Sequence, residues 1–344
     1  MESALIKQET AGITPETQQE QQEDQARLLI LGGVEASATP FAAGEALQEA
    51  WFAQDLQIAA LQQGSATAVE WLKAAGVELV ALAGLQGEAP ALPEGITAIG
   101  AGDTESMANR PFVRCVNGIR LGVVSFAEQP AGDFTDRADI LSLAAFDRVR
   151  MLLNQCDHVI VLVQSGLKEA ELPLPEWRAR YRRFVDAGAS LVVDTGRARG
   201  WEAYKQGLVF YGLGAPTGAD ALGLFVTLRR NGKLSYESRA LQNTAGKLDF
   251  SQNDAFRAQI DAQNALLADE KAYRSAADEM CTRLYCAAEA AHKRGVLGIF
   301  SPHADESEKL LSLLGHESAR LVALRALRLR SAAEKGQREN AKKA

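Results

Sequence analysis

Residues 191–216 read LVVDTGRARGWEAYKQGLVFYGLGAP. An apolar run ends in Asp194, a glycine-bearing loop carries Glu202, and a second apolar run closes on Gly212 and Gly214. Strand, loop and strand follow directly from this pattern. In layered α/β sheets the carboxyl ends of strands face the site crevice, so Asp194 stands where a carboxylate would hold a cation. A carboxylate in the same place equally caps the turn that follows it. Glu202 is expected to bond backbone amides within the loop. The layout is that of a metal-site loop, yet the stretch contains no histidine.

Upstream of this stretch, short apolar runs alternate with helical patterns. RLLIL, VELVALA, IRLGVVSF and HVIVLV join SLVVD and GLVFYGL as strands, several of them apolar on both faces, as strands between layers must be. SATAVEWLKAAG, AAFDRVRMLLNQC and LPEWRARYRRFVDAG read as helices closed by Gly or a polar break. The chain is therefore a layered α/β protein. ALGLFVTLRRNGKLSYESRAL adds a hairpin, with Asn231-Gly232 suiting a type I′ turn. From Lys247 to Arg294 there is neither Gly nor Pro, and Phe256, Ile260, Leu267, Met280 and Leu284 form a loose helical stripe. Asp305 and Glu308 are spaced as a capping box before a further leucine-bearing helix.

Four segments are expected: a Gln/Glu-rich tail over 1–26, the α/β domain over 27–245, a helical region over 246–330, and a basic tail over 331–344. The first 26 residues carry six acidic side chains against one lysine, with too few bulky apolar residues to offset ordering entropy. The 344-residue chain has a formal charge of -7, which argues against nucleic-acid binding. No basic stretch precedes an apolar core at the start, and no apolar run is long enough to span a bilayer, so a cytoplasmic protein is expected. The basic C-terminal segment offers a membrane-peripheral alternative. Cys115, Cys156, Cys281 and Cys286 form no CxxC pair and read as reduced thiols.

Individual motifs are sparse. Gly32-Gly33 follows a strand without the Lys-Ser/Thr of a P-loop, and there is no G-x-S-x-G or HExxH. The four histidines, His158, His292, His303 and His316, lie at no ligand spacing.

The order of segments nevertheless resembles the CapA family of capsule-synthesis proteins, also called poly-gamma-glutamate biosynthesis proteins. LKAAGVELVALAGLQ, GITAIGAGDTESMANRPFVRCVNGIRLGVVSF, CDHVIVLVQSGLKEAELPLPEWRARYRRFVDAGASLVV and the opening stretch carry the likeness, in family order. The resemblance implies a metallophosphoesterase-like layered sandwich, two facing β-sheets flanked by helices, here with a C-terminal helical extension. It also shows what has changed. Gly32-Gly33 stands for the family's Gly-Asp metal pair, Ala60 and Gln62 for an Asn and a Glu, and Gly84-Leu85-Gln86 for Asn-Asn-His. Gln164 replaces a histidine, Asp194-Thr195-Gly196 replaces His-Pro-His, and Ala215 replaces an asparagine. The stretch after Gln86 looks shortened, with the family's intervening helix missing. Gly166, Glu169, Asp186, Gly188, Glu202, Tyr204, Tyr211 and Gly214 are retained.

A two-metal site needs several carboxylate or imidazole ligands around ions ~3.5–4 Å apart, and Gly, Ala and Gln do not supply them. The expectation is a non-catalytic binding or assembly component with no metal and no cofactor. Its vestigial cleft would hold Gln86, Gln164, Asp194, Glu202 and Glu169. Its partners would be a polyanionic polymer or capsule-synthesis proteins, with self-association through the C-terminal helices. Two alternatives remain. One is a hydrolase or transpeptidase-like enzyme with a site rebuilt from Asp103, Asp157, His158 and Asp194. The other is an interaction module unrelated to capsule.

Overall fold

The computed structural model describes residues 25–35, 41–128, 137–293 and 315–343. Residues 1–24 of the tail expected over 1–26, and the Asp305/Glu308 box, lie outside the described residues, whereas Gln25 and Ala26 already belong to the first strand.

Two sheets face each other. The first has eight strands in the order β2-β14-β13-β12-β1-β3-β4-β5. Its parallel half is β1 (Gln25–Val34), β3 (Leu56–Leu61), β4 (Leu79–Ala81) and β5 (Thr97–Ile99). Antiparallel β12 (Asp220–Arg229), β13 (Leu234–Thr244) and β14 (Lys247–Phe250) extend the other side, with β2 (Ala42–Ala43) at the edge. The second sheet has six strands in the order β10-β11-β9-β8-β7-β6. These are β6 (Phe112–Val116), β7 (Ile119–Ala127), β8 (His158–Gln164), β9 (Leu191–Asp194), β10 (Trp201–Tyr204) and β11 (Gly207–Phe210).

The doubly apolar strands explain the layering. In β1, Leu28 and Ile30 enter the core between the sheets, while Leu29 and Leu31 face an outer core with Trp51 and Trp71. Those tryptophans come from α1 (Glu45–Phe52) and α2 (Ala66–Ala74). In β8, Ile160 and Leu162 point inward, and Val159, Val161 and Val163 point outward. The outer side there is covered by α4 (Ala144–Leu153) and α5 (Pro175–Asp186), after the single-turn α3 (Glu105–Ala108). The period-2 alternation of each strand thus supplies two cores at once. This four-layer sandwich is the metallophosphoesterase-like architecture that the sequence resemblance implies.

Three sequence expectations change. The sheet continues past residue 245, because β14 pairs antiparallel with β13 before any helix begins. Asn231 is not in the positive-φ region, so the β12–β13 hairpin has no type I′ turn. Arg229 N donates to the Lys233 carbonyl and only Gly232 is left-handed (φ 77°), which makes a three-residue loop. Two consecutive left-handed residues occur instead at Asn117 and Gly118, between β6 and β7, and at Ala245 and Gly246, between β13 and β14. Finally, residues 331–343 are the end of a helix rather than a separate tail.

The C-terminal extension packs against the six-stranded sheet, its later helices on the outer face and its first helix at the edge of the sandwich, where Phe256 and Ile260 join the core between the sheets. It comprises α6 (Asp254–Ala268), α7 (Glu270–Lys293) and α8 (Glu317–Lys343). Tyr273, Ala277, Met280, Cys281 and Val322 join the same core as α5. Arg325 contacts Asp278 and Arg330 contacts Glu289, so α7 and α8 run parallel.

Candidate functional site

The carboxyl ends of β1, β3, β4, β7, β8 and β9 meet at one rim. Gly33 N donates to the Thr195 carbonyl across the two sheets (2.9 Å), and Gln86 N donates to the Gln62 carbonyl (2.8 Å). Such close contact requires Gly32, because a Cβ there would run into the backbone of Gly214. An open groove of about 540 Å³ lies at this rim, bordered by Gly84, Gln86, Glu128, Arg137, Gln164 and His316. Its size falls within the ordinary range for small-molecule sites.

Two glutamines fill the space where acidic or imidazole ligands would be needed. A Cβ on Gly33 would meet Cγ, Cδ and Nε2 of Gln62. A Cβ on Gly84 would meet the amide and Cβ of Gln164. Each glycine therefore has a glutamine side chain lying over it. Gln62 is 7% exposed, so its amide is packed in place rather than free in solvent.

Asp194 faces the other way. Val192 and Asp194 share the outer side of β9, while Leu191 and Val193 face the opposing sheet. The Asp194 carboxylate is 1% exposed. Its Oδ2 accepts from Tyr181 Oη (2.5 Å), and its Oδ1 accepts from Gly196 N (2.7 Å). Ser165 Oγ lies 2.6 Å from Tyr181 Oη. Asp194 thus caps its own turn and anchors α5. Burial pushes its pKa up to about 6, against opposing effects of Arg199, Tyr181 and the backbone amides of Gly196 and Ser165. Arg199, 3% exposed, supplies the nearby positive charge. Its guanidinium donates to the carbonyls of Ala170 (3.0 Å), Tyr211 (3.1 Å) and Leu167 (2.8 Å). A protein-borne cation and a buried carboxylate compensate each other here.

Glu202 does not bond loop amides, contrary to the expectation from its position. Arg182 grips it with two hydrogen bonds of 2.7 Å, Arg178 Nη2 donates at 2.6 Å, and Tyr211 Oη donates at 2.5 Å. Burial opposes its ionisation, and the donors Arg182, Arg178 and Tyr211 outweigh it, pulling the pKa down to about 2. Arg178 also reaches Glu270 (3.1 Å) and the Leu267 carbonyl (2.7 Å), and lies over the Tyr273 ring. Glu202 is the hub that fastens α5 and the β10–β11 edge to the C-terminal helices. Glu169 is exposed in the loop after β8, where its carbonyl accepts from Arg197.

Of the five expected cleft residues, the structure brings Gln86 and Gln164 to one groove. Asp194 lies behind it, Glu202 at the sheet edge and Glu169 on the surface. The residues of the rebuilt-site alternative are also dispersed. His158, fully buried, opens β8, the opposite end of the strand from Gln164. Five residues separate it from Val163, which pairs with Asp194, a span of roughly 16 Å along a strand. His158 Nε2 contacts the Arg229 carbonyl (2.7 Å) and Nδ1 contacts Ser190 Oγ (3.1 Å). Asp157 accepts from Arg120 N, and Asp103 is exposed.

Sequence reasoning missed how the groove is walled. Glu128, just past β7, accepts from Gly166 N (3.1 Å) and from the backbone and side chain of Ser318 at the start of α8. Trp177 Nε1 donates to the same Ser318 hydroxyl (2.7 Å). These contacts place His316 at the groove edge. They are 190 and 141 residues apart in the chain, so no local pattern announces them.

A metallophosphoesterase-like frame implies a metal pair, and the donor set does not fit one. Among the described residues no three His, Cys, Asp or Glu side chains converge. The one carboxylate at a position where the family has a metal ligand, Asp194, has both oxygens engaged and faces the helix layer. One carboxylate does not make a transition-metal site.

These features define a metallophosphoesterase-like domain in which glutamines pack over the site. Residues 53–215, most of the α/β domain, match the family model described as bacterial capsule synthesis protein PGA_cap. The structure is similar to that of a hypothetical protein from Thermus thermophilus, at 15% identity and a TM-score of 0.41, covering 63% of this chain and 99% of that one. It is also similar to a double mutant of Vps29 from Entamoeba histolytica, at 10% identity and a TM-score of 0.26, covering 64% and 95%. Likenesses this distant carry no functional argument. No curated protein matches the chain. No helix among the described residues is long and apolar enough to cross a membrane.

Proposed function

We propose that this protein is a non-catalytic member of the capsule synthesis family, acting in capsule or poly-gamma-glutamate formation as a binding or assembly component. The observation that carries the reading is the pair of glutamines packed over Gly33 and Gly84. A metal ligand introduced at either glycine would collide with side chains already there. The groove itself remains open, and the amides of Gln86 and Gln164 with the Arg137 guanidinium present donors and acceptors suited to an uncharged amide or hydroxyl group beside an anionic one. The partner is a polymer segment or a capsule-synthesis protein that presents such groups.

Elemental analysis of purified protein tests this, after incubation with manganese, zinc and calcium followed by desalting. Substoichiometric metal and no turnover of a chromogenic phosphodiester are expected. One or two tightly held ions per chain, lost together with hydrolysis in Asp194→Ala, would overturn the reading.

A further inference from the structure

A second groove, of about 350 Å³, opens between β13, β14, α6 and Trp201 at the start of β10. Of the four tryptophans, Trp51, Trp71 and Trp177 are at most 3% exposed, and Trp201 alone is half-buried. It is held from several sides. Its backbone N donates to Asn264 Oδ1 (2.8 Å), and its indole N–H donates to Tyr236 Oη (2.9 Å). Its ring stacks on Phe210 with centroids 5.4 Å apart. A ring fixed in this way loses little freedom when a ligand settles against it.

The polar lining is Ser238, Arg239, Arg257 and Asp261. Arg239 is gripped by both oxygens of Glu237 (2.6 and 2.9 Å) and lies over the Phe250 ring at 4.8 Å. Arg257 has Asp254 at 3.7 Å. Each guanidinium is therefore matched by a carboxylate. Among the described residues Asp261 is exposed and has no hydrogen bond or ion pair, and Ser238 Oγ has no partner either. The uncompensated charge of the groove is negative, which disfavours an anionic ligand and favours one that donates hydrogen bonds.

We propose that this groove binds the ring of an uncharged saccharide. One face of a pyranose is a plane of weakly positive C–H groups, which suits the electron-rich face of an aromatic ring such as Trp201. Its rim of hydroxyls donates to the Asp261 carboxylate and accepts from Arg257. Apolar walls with a few convergent polar groups are the usual make-up of a small-ligand site. The site is separate from the rim that holds Gln86 and Gln164 and does not depend on the reading of that rim.

Trp201 reports on its own occupancy. Acrylamide quenching of tryptophan fluorescence is measured on the full chain with cellotetraose, maltotetraose, chitotetraose and, as an anionic probe, poly-gamma-glutamate. At least one neutral oligosaccharide is expected to shield Trp201 saturably. Calorimetry on that sugar should show Asp261→Asn weakening binding by about tenfold or more, the scale of a lost hydrogen bond to a charged group. Trp201→Phe should abolish the shielding signal and weaken binding while leaving the melting temperature within a few degrees. The proposal is overturned if no neutral sugar protects Trp201, if Asp261→Asn binds as tightly as the parent, or if poly-gamma-glutamate is the probe that protects.

Discussion

The side chain of Gln62 lies across Gly33, so that a Cβ at residue 33 would overlap three atoms of the glutamine. The relationship is reciprocal: the glycine exists in its present form because the glutamine is there, and the glutamine packs because nothing projects from the glycine. Gly33→Ala should destabilise the protein by ~1–3 kcal/mol, the usual cost of overpacking. Gln62→Ala in the same chain removes the overlap, and the double variant should recover ~0.5–3 kcal/mol relative to the sum of the single changes. Urea unfolding of the four proteins measures the coupling. Strict additivity would mean that the two residues do not touch.

Asp194 and Glu202 titrate in opposite senses. Burial raises Asp194 from 3.8 to about 6 in the folded chain. Its ionisation therefore costs nothing below the unfolded value, and the cost grows as pH rises from about 4 to about 6, reaching on the order of 3 kcal/mol. Glu202 is pulled from 4.5 to about 2, so its contribution is complete above the unfolded value and is lost as pH falls through 4.5 towards 2. Asp194→Asn should flatten the decline in melting temperature between about pH 4 and 6 while leaving the acid limb intact. A parent protein with no such decline would refute the assignment.

Glu202 faces Arg178, whose side chain is 4% exposed. Glu202→Ala leaves that guanidinium buried with one remaining partner carboxylate, Glu270, which is half-exposed. Breaking a buried pair in this way costs ~3–5 kcal/mol. The loss should be read as a lower urea midpoint, together with faster hydrogen exchange in α6 and the first turns of α7.

Glu128 holds the first turn of α8 through Ser318, and Trp177 bonds the same hydroxyl. Ser318→Ala leaves the Glu128 carboxylate and the Trp177 indole N–H short of a partner, a loss of ~1–3 kcal/mol. Amide exchange in residues 317–326 should rise well above that in β8, which keeps its ladder. Equal protection in the variant and the parent would show that the α7 contacts alone fix the helix.

The layered frame was legible because each of its central strands is apolar on both faces, and Leu28–Leu31 and Val159–Val163 divide their side chains between two cores as that pattern requires. The loss of ligand types at Gly33, Gly84 and Gln164 was legible from the order of motifs. What replaced them was not. That Gln62 fills the space above Gly33 depends on packing between strands 29 positions apart in the chain, which no periodicity encodes. Glu202 gave no sign of its arginines because Arg178 and Arg182 sit on another element, one helical turn apart. β14 was hidden because KLDF is too short to show alternation and only three residues separate it from a helix.

The Glu128–Ser318 clasp has a consequence for how the protein is made. The loop that carries Glu128 leaves the ribosome long before its partner is synthesised, and contacts of such separation are the last to be satisfied. Until α8 arrives, a carboxylate and an indole N–H wait at the groove without their common acceptor and donor. A chain cut short before residue 318 would keep its two sheets and lose one wall of the groove. That wall is therefore the part of the groove that forms last as the chain is made.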